Sequence, residues 1–130
     1  MSRAIRRAGT AVRWLAAAWL LLVFLRAVAV SGVQTMAIIV RRARGGPTPR
    51  AGLVRMRFAP MSENGATLMG CLITLTPGTT TIDIDMERRE MLLHLLDLDG
   101  AEDAVAGIRR EFEPSILRIF GRDDGERSRR

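Results

Sequence analysis

Residues 72–99 read LITLTPGTTTIDIDMERREMLLHLLDLD, and the fold turns on how this stretch is read. Thr76-Pro77-Gly78-Thr79 puts proline at the second and glycine at the third position of a turn, the type II arrangement in which Gly78 takes positive φ. The chain must reverse there. From Thr80 to Met86 the side chains alternate, with Ile82, Ile84 and Met86 on one face and Thr81, Asp83 and Asp85 on the other, the period-two pattern of a half-buried strand. Glu87-Arg88-Arg89-Glu90 makes a charged turn into a second apolar run, Met91 to Asp97, and the two runs read as a β-hairpin.

Upstream of the hairpin, Ser62-Glu63-Asn64 supplies a helix start, and Leu68, Cys71, Leu72 and Leu75 recur at i, i+3, i+4 and i+7. The spacing predicts a helix over residues 63–75 with that face inward. Before it, Leu53 to Phe58 (LVRMRF) sets Leu53, Arg55 and Arg57 against Val54, Met56 and Phe58, a strand with one apolar face. Downstream, Asp99 and Glu102 have capping-box spacing, and Val105, Ile108 and Phe112 form the stripe of a last helix. Pro114 should kink or restart that helix before Gly121 ends it. Residues 122–130, RDDGERSRR, read as a disordered tail. The order is β-α-β-β-α, an α+β domain of one small sheet and two helices over residues 51–121. A core of this size is modest, and such domains often lean on a partner.

Residues 45–50 are a linker, because Gly45 and Gly46 end any preceding helix and Pro47 and Pro49 forbid its continuation. Residues 1–44 hold a basic amino terminus and, from 14 to 40, WLAAAWLLLVFLRAVAVSGVQTMAIIV, an apolar run with a single charge. As a helix it is about 40 Å long against the roughly 30 Å of a bilayer core, so it reads as a transmembrane span. Trp14 and Trp19 lie toward one end, and Arg41, Arg42 and Arg44 stop it at the other. Arg26, almost mid-span, should face a partner helix or a wet cavity, or else snorkel, and Ser31, Gln34 and Thr35 add polarity. A secretory signal is the rival reading, given Arg3, Arg6, Arg7 and the Ala27-Val28-Ala29 site. Arg26 beside that site and the apolar run resuming at Ile38-Ile39-Val40 weigh against it. Arginines crowd both ends, so charge alone does not orient the span.

The basic surplus is all arginine, since the chain has no lysine, and this excludes Walker-type phosphate loops, Schiff-base chemistry and pyridoxal phosphate. Residues 1–60 carry 11 Arg and no acid, residues 61–130 carry 9 Arg against 14 acids, so the halves are +11 and −5. The positive half surrounds an apolar run rather than forming a basic face with aromatics, which argues against nucleic acid as a partner. Cys71 and His94 are the only cysteine and histidine. They are too few for a metal centre, and their apolar surroundings predict core packing rather than a nucleophilic pair. No catalytic, metal or cofactor-binding residue is expected, and the chain does not read as an enzyme. Ion coupling through a bilayer usually employs carboxylates or histidine within the membrane, and the span has none, so the chain does not transport ions by itself.

The order Leu72-Ile73-Thr74-Leu75-Thr76-Pro77-Gly78-Thr79, Ile82-Asp83-Ile84-Asp85 and His94-Leu95-Leu96-Asp97-Leu98-Asp99 resembles the E-type component of multisubunit sodium/proton antiporters of the Mnh or Mrp type, the MnhE/MrpE family. Phe24-Leu25-Arg26 through Gln34 to Val40-Arg41 resembles that family's last membrane segment, so the similarity covers roughly residues 20 to 120. The resemblance implies an accessory, non-catalytic subunit of an inner-membrane complex, partnered by other membrane subunits and lipid, with its carboxy-terminal domain cytoplasmic and no cofactor. It also implies further membrane segments ahead of this one and an uninterrupted final helix where this chain has Pro114. A free-standing membrane-anchored adaptor or regulatory domain is the alternative role.

Overall fold

The computed structural model describes residues 2–121, with side chains from Gly9 onward. The tail expected to be disordered lies outside the described residues. The first element is one continuous helix, α1 (Ser2–Ala43), whose stretch from Gly9 to Ala43 is long and apolar enough to cross a bilayer. It ends in a Schellman pattern: Gly45 at φ 85° donates its N–H to Arg42 O at 3.0 Å, and the Gly46 N–H reaches Arg41 O at 2.8 Å. Pro47 then blocks any further turn.

Beyond it follow β1 (Gly52–Arg57), α2 (Glu63–Leu75), β2 (Thr79–Asp85), β3 (Glu90–Leu95) and α3 (Ala101–Phe120). The sheet is antiparallel in the order β1-β3-β2, so β3 is central and the hairpin read from residues 72–99 is present. Gly78 has φ 89° in its turn, and Thr79 N–H closes onto Thr76 O at 3.3 Å. Strand β1 alternates as expected, with Met56 and then Phe58 buried while Leu53, Arg55 and Arg57 face out. The architecture is α+β.

Several expectations fail, each for a physical reason. Strand β2 does not alternate throughout, because Thr81 pairs with Leu93 and Asp83 with Leu92, leaving Ile82 as an extra residue in a bulge. Ile82 is therefore exposed rather than core. The bulge is what lets both Thr81 and Ile84 face α2. Thr81 Oγ1 donates to Gly70 O at 3.0 Å, and Ile84 Cδ1 comes within 3.0 Å of where a Cβ on Gly70 would sit. A Cβ at position 70 would press on the end of the Ile84 side chain, which would have to give by a few tenths of an ångström.

Helix α2 has the expected limits, and Ser62 caps it by accepting the Gly65 N–H, but its buried face is rotated from the expected one. Ala66, Met69, Gly70, Leu72 and Ile73 are inside, while Cys71 and Leu75 are exposed. Methionine and glycine at 69 and 70 carried the true seam. His94 is exposed as well, on the face of the sheet that α2 does not cover. No capping box forms at Asp99, because α3 begins at Ala101 with Gly100 in the cap position and the Asp99 N–H bonds Asp97 Oδ1 at 3.1 Å. Pro114 does not break α3. Phe112 and Ile116 are fully buried on either side of it, and Glu113 holds both Ala59 N–H (2.9 Å) and Arg109 Nε (3.2 Å), so packing outweighs the one missing helix bond.

The core joins Met56, Phe58, Met61, Met69, Ile73, Met91 and Leu93 to Phe112 and Ile116 of α3, and it also includes Leu20 of α1. Val23, Phe24 and Ala27 pack against the same cluster. The partner that so small a domain needs is thus its own long helix.

Candidate functional site

At 100° per residue, Ala16, Leu20, Ala27, Ser31, Gln34 and Ile38 fall on one half of α1, and this half meets the domain. Ala16 and Leu20 are buried, whereas Trp14, Leu15, Leu22, Leu25, Val33 and Met36, on the opposite half, are exposed. Of the polar residues that interrupt the apolar run, Ser31 and Thr35 are half-buried toward the domain, while Gln34 and Arg26 line the same cleft from exposed positions. Ser31 Oγ donates to Pro77 O at 2.7 Å, and Thr35 Oγ1 lies 3.3 Å from the place a Cβ on Gly78 would take. The TPGT turn that reverses the chain also seats it on α1.

The threonine hydroxyls of this turn are spent on backbone. Thr76 Oγ1 donates to Leu72 O at 2.8 Å and Thr79 Oγ1 to Ile73 O at 2.6 Å, stitching the end of α2 to the start of β2. They do not form an anion cradle.

Helix α3 runs antiparallel along α1. Its first half, with Gly100, Asp103, Ala104 and Gly107, shares a cleft with Ser31 to Arg41, and further along Glu111 reaches Arg26. The Arg26 Nη1 to Glu111 Oε1 distance is 3.3 Å. Arg26 thus has its partner on a helix, as expected, but the helix belongs to the same chain. With the guanidinium 71% and the carboxylate 28% exposed, the pair adds little in water. Its value rises in lipid, where a lone arginine near mid-span costs roughly 2.5–3.5 kcal/mol on insertion scales.

The cleft between α1, the TPGT turn and α3 is about 660 Å³, with Arg26 and Arg41 on one wall and Asp97, Asp103 and Glu111 on the other. Sequence reasoning singled out Arg26, Ser31, Gln34 and Thr35 but missed Glu111, Pro77 and Gly78 as their counterparts. One signal was available: Glu111 adjoins Phe112 on the apolar stripe of α3, where a carboxylate needs a partner. Cys71 on α2 and His94 on the open sheet face are not brought together. Among the described residues no group of three or more His, Cys, Asp and Glu side chains could hold a metal ion.

A long apolar helix clamped to a small α+β domain by a polar stripe and an ion pair defines the chain as a membrane-anchored module. The Na+/H+ ion antiporter subunit model of the MNHE family matches residues 1–119, and the chain belongs to that family. Similar proteins include the E component of the Na(+)/H(+) antiporter of Bacillus subtilis (strain 168), 34% identical over 70 residues that cover 54% of this chain and 44% of the relative. The E component of a probable K(+)/H(+) antiporter of Rhizobium meliloti (strain 1021) is 31% identical over 65 residues, 50% of this chain and 40% of the relative. A chain in the structure of the Mrp complex from Dietzia sp. DQ12-45-1b aligns with TM-score 0.46 and 27% identity, over 72% of this chain and 88% of that one. The chain spans less than half the length of the curated relatives it matches. Family membership and the apolar helix together make this a membrane protein.

Proposed function

We propose that the chain is an accessory, non-catalytic subunit of a multisubunit monovalent cation/proton antiporter, anchored by α1, with its α+β domain in the cytoplasm, and contributing to assembly rather than to ion coupling. The family match over residues 1–119 carries this reading. Relatives named for sodium and for potassium both occur, so the cation is left at the class of monovalent ions. The assembly role is supported by the chemistry of α1. Residues 1–60 contain no acid to carry a proton or cation, and Glu111, the carboxylate nearest the middle of the helix, is engaged by Arg26. Arginines flank α1 at both ends, so the cytoplasmic placement of the domain, with Arg41, Arg42, Arg44, Arg55 and Arg57 inside, rests on the family resemblance and not on the charge count.

The test is a deletion strain grown at alkaline pH across a range of sodium concentrations, complemented with the wild-type chain or with a Glu111→Gln variant. The expected result is cation sensitivity on deletion, with the wild-type chain restoring growth and Glu111→Gln restoring most of it. Unchanged growth of the deletion strain counts against the antiporter role. Complete failure of well-expressed Glu111→Gln counts against a non-coupling one.

A further inference from the structure

The apolar run of α1 has two sides with different surroundings. On the half turned away from the domain, residues 14–40 present Trp14, Leu15, Leu22, Leu25, Val33 and Met36, all exposed, and the one polar residue there is Arg26. Arg26 stands at the margin of that half, and its guanidinium reaches back to Glu111. The other half is occupied by the domain over the same length. Ala16 and Leu20 are buried, Val23, Phe24 and Ala27 pack against the core, Ser31 bonds Pro77 O, and Ile38 and Arg41 border the cleft with α3.

A bilayer crossed by α1 in this arrangement would take in the domain as well. The sheet and α3 stand beside residues 16–41 and carry exposed Asp103, Arg109 and Arg110 with them, and ionised groups in hydrocarbon are costly. Shifting the crossing along the helix does not avoid this. The stretches of α1 before Ala16 and after Arg41 are each too short to span about 30 Å.

A bilayer touched by one side of α1 meets none of those charges. Laid flat, the run offers about 40 Å of apolar surface at a single depth, with the domain in water on its opposite side. Trp14 and Trp19, both exposed, then lie where indoles are favoured, at the boundary of headgroups and acyl chains. Arg13, Arg41 and Arg44, at the two ends, are exposed and make no ion pair among the described residues, so they are free to meet anionic headgroups. The run is apolar all round because one side completes the core and the other faces lipid.

We propose that α1, with the domain docked on it, lies in the plane of an anionic membrane surface, its outward half sunk among the acyl chains, so that the amino-terminal end and the domain are on the same side of the bilayer. This deepens the anchoring part of the proposed function and rests on it, and it does not depend on the antiporter role.

The experiment reads sidedness in the full chain, expressed without other subunits in a bacterial host. Cys71, the native thiol exposed on α2, reports the domain. Gly9→Cys in a Cys71→Ser background reports the amino-terminal end, where nothing lies within 4 Å of an added Cβ. A membrane-impermeant maleimide is applied to spheroplasts and to inverted membrane vesicles. Both thiols are expected to react in inverted vesicles and neither in spheroplasts. Reaction of the two from opposite sides, or of either thiol only after detergent is added, overturns the surface placement. Reaction of both in spheroplasts alone upholds that placement and overturns the cytoplasmic side proposed for the domain. Recovery of the chain in the soluble fraction overturns the anchoring itself, and the surface placement with it.

Discussion

Arg26 stands in a run where a lone guanidinium is costly, and Glu111 brings a carboxylate to 3.3 Å from it. In detergent, where both groups are hydrated, the pair contributes only about 0.2–1 kcal/mol. In the bilayer, reversing one charge should matter more than removing it. Arg26→Glu is expected to lower the yield of folded protein from membranes further than Arg26→Leu, and adding Glu111→Arg to Arg26→Glu should restore it. Fluorescence-detected size exclusion reads the outcome, and a double variant no better than Arg26→Glu alone would show that the contact carries no weight. A second contrast separates the two sides of the sheet. Ile116, fully buried between α3 and α2, should cost about 2–5 kcal/mol on truncation to alanine. Ile82 in the bulge should stay within about 0.5 kcal/mol. Equal losses of thermal stability in the two variants would contradict the bulge.

Each element owes its place to a few residues whose role shows only when another element is beside it. Pro77 and Gly78 announce a turn in any sequence, but their seat on Ser31 and Thr35 of α1 depends on residues more than forty positions away. Gly78→Ala therefore meets two obstacles, positive φ and the Thr35 hydroxyl, and is expected to destabilise by more than about 1 kcal/mol in a denaturant titration. A value near zero would mean the turn is not seated on α1. The limits of α2, the hairpin, strand β1 and the α+β class were legible because period and turn chemistry are local. The rotated face of α2 was not, because glycines at 65 and 70 mark a close approach that no hydrophobicity pattern records. Nor was the bulge at Ile82, since it answers to threonine hydroxyls bonding carbonyls of α2. Cys71 and His94 look buried by neighbourhood and are exposed by rotation and strand parity. Of the site, Arg26 and the Ser31–Thr35 stripe were legible as polar residues in an apolar run, while their partners lay on elements the sequence does not connect to them.

On the scale of the whole molecule, helix and domain share one core. Leu20 sits in the same cluster as Phe112 and Ile116, so the domain is completed by α1 rather than merely tethered to it. A fragment covering residues 51–121 is accordingly expected to bind a hydrophobic dye and to unfold without a sharp transition, while the full chain in lipid unfolds cooperatively. A fragment as stable as the full chain would refute the shared core. Such a unit suits a part that packs and orients within a larger assembly, and the family places relatives of this chain among antiporter subunits. The most direct measurement is purification of the tagged full chain from its native membranes in mild detergent, followed by mass spectrometry of the intact assembly. The account predicts that the chain emerges in fixed stoichiometry with large polytopic antiporter subunits; emergence of the chain alone, at the mass of a monomer, would contradict it.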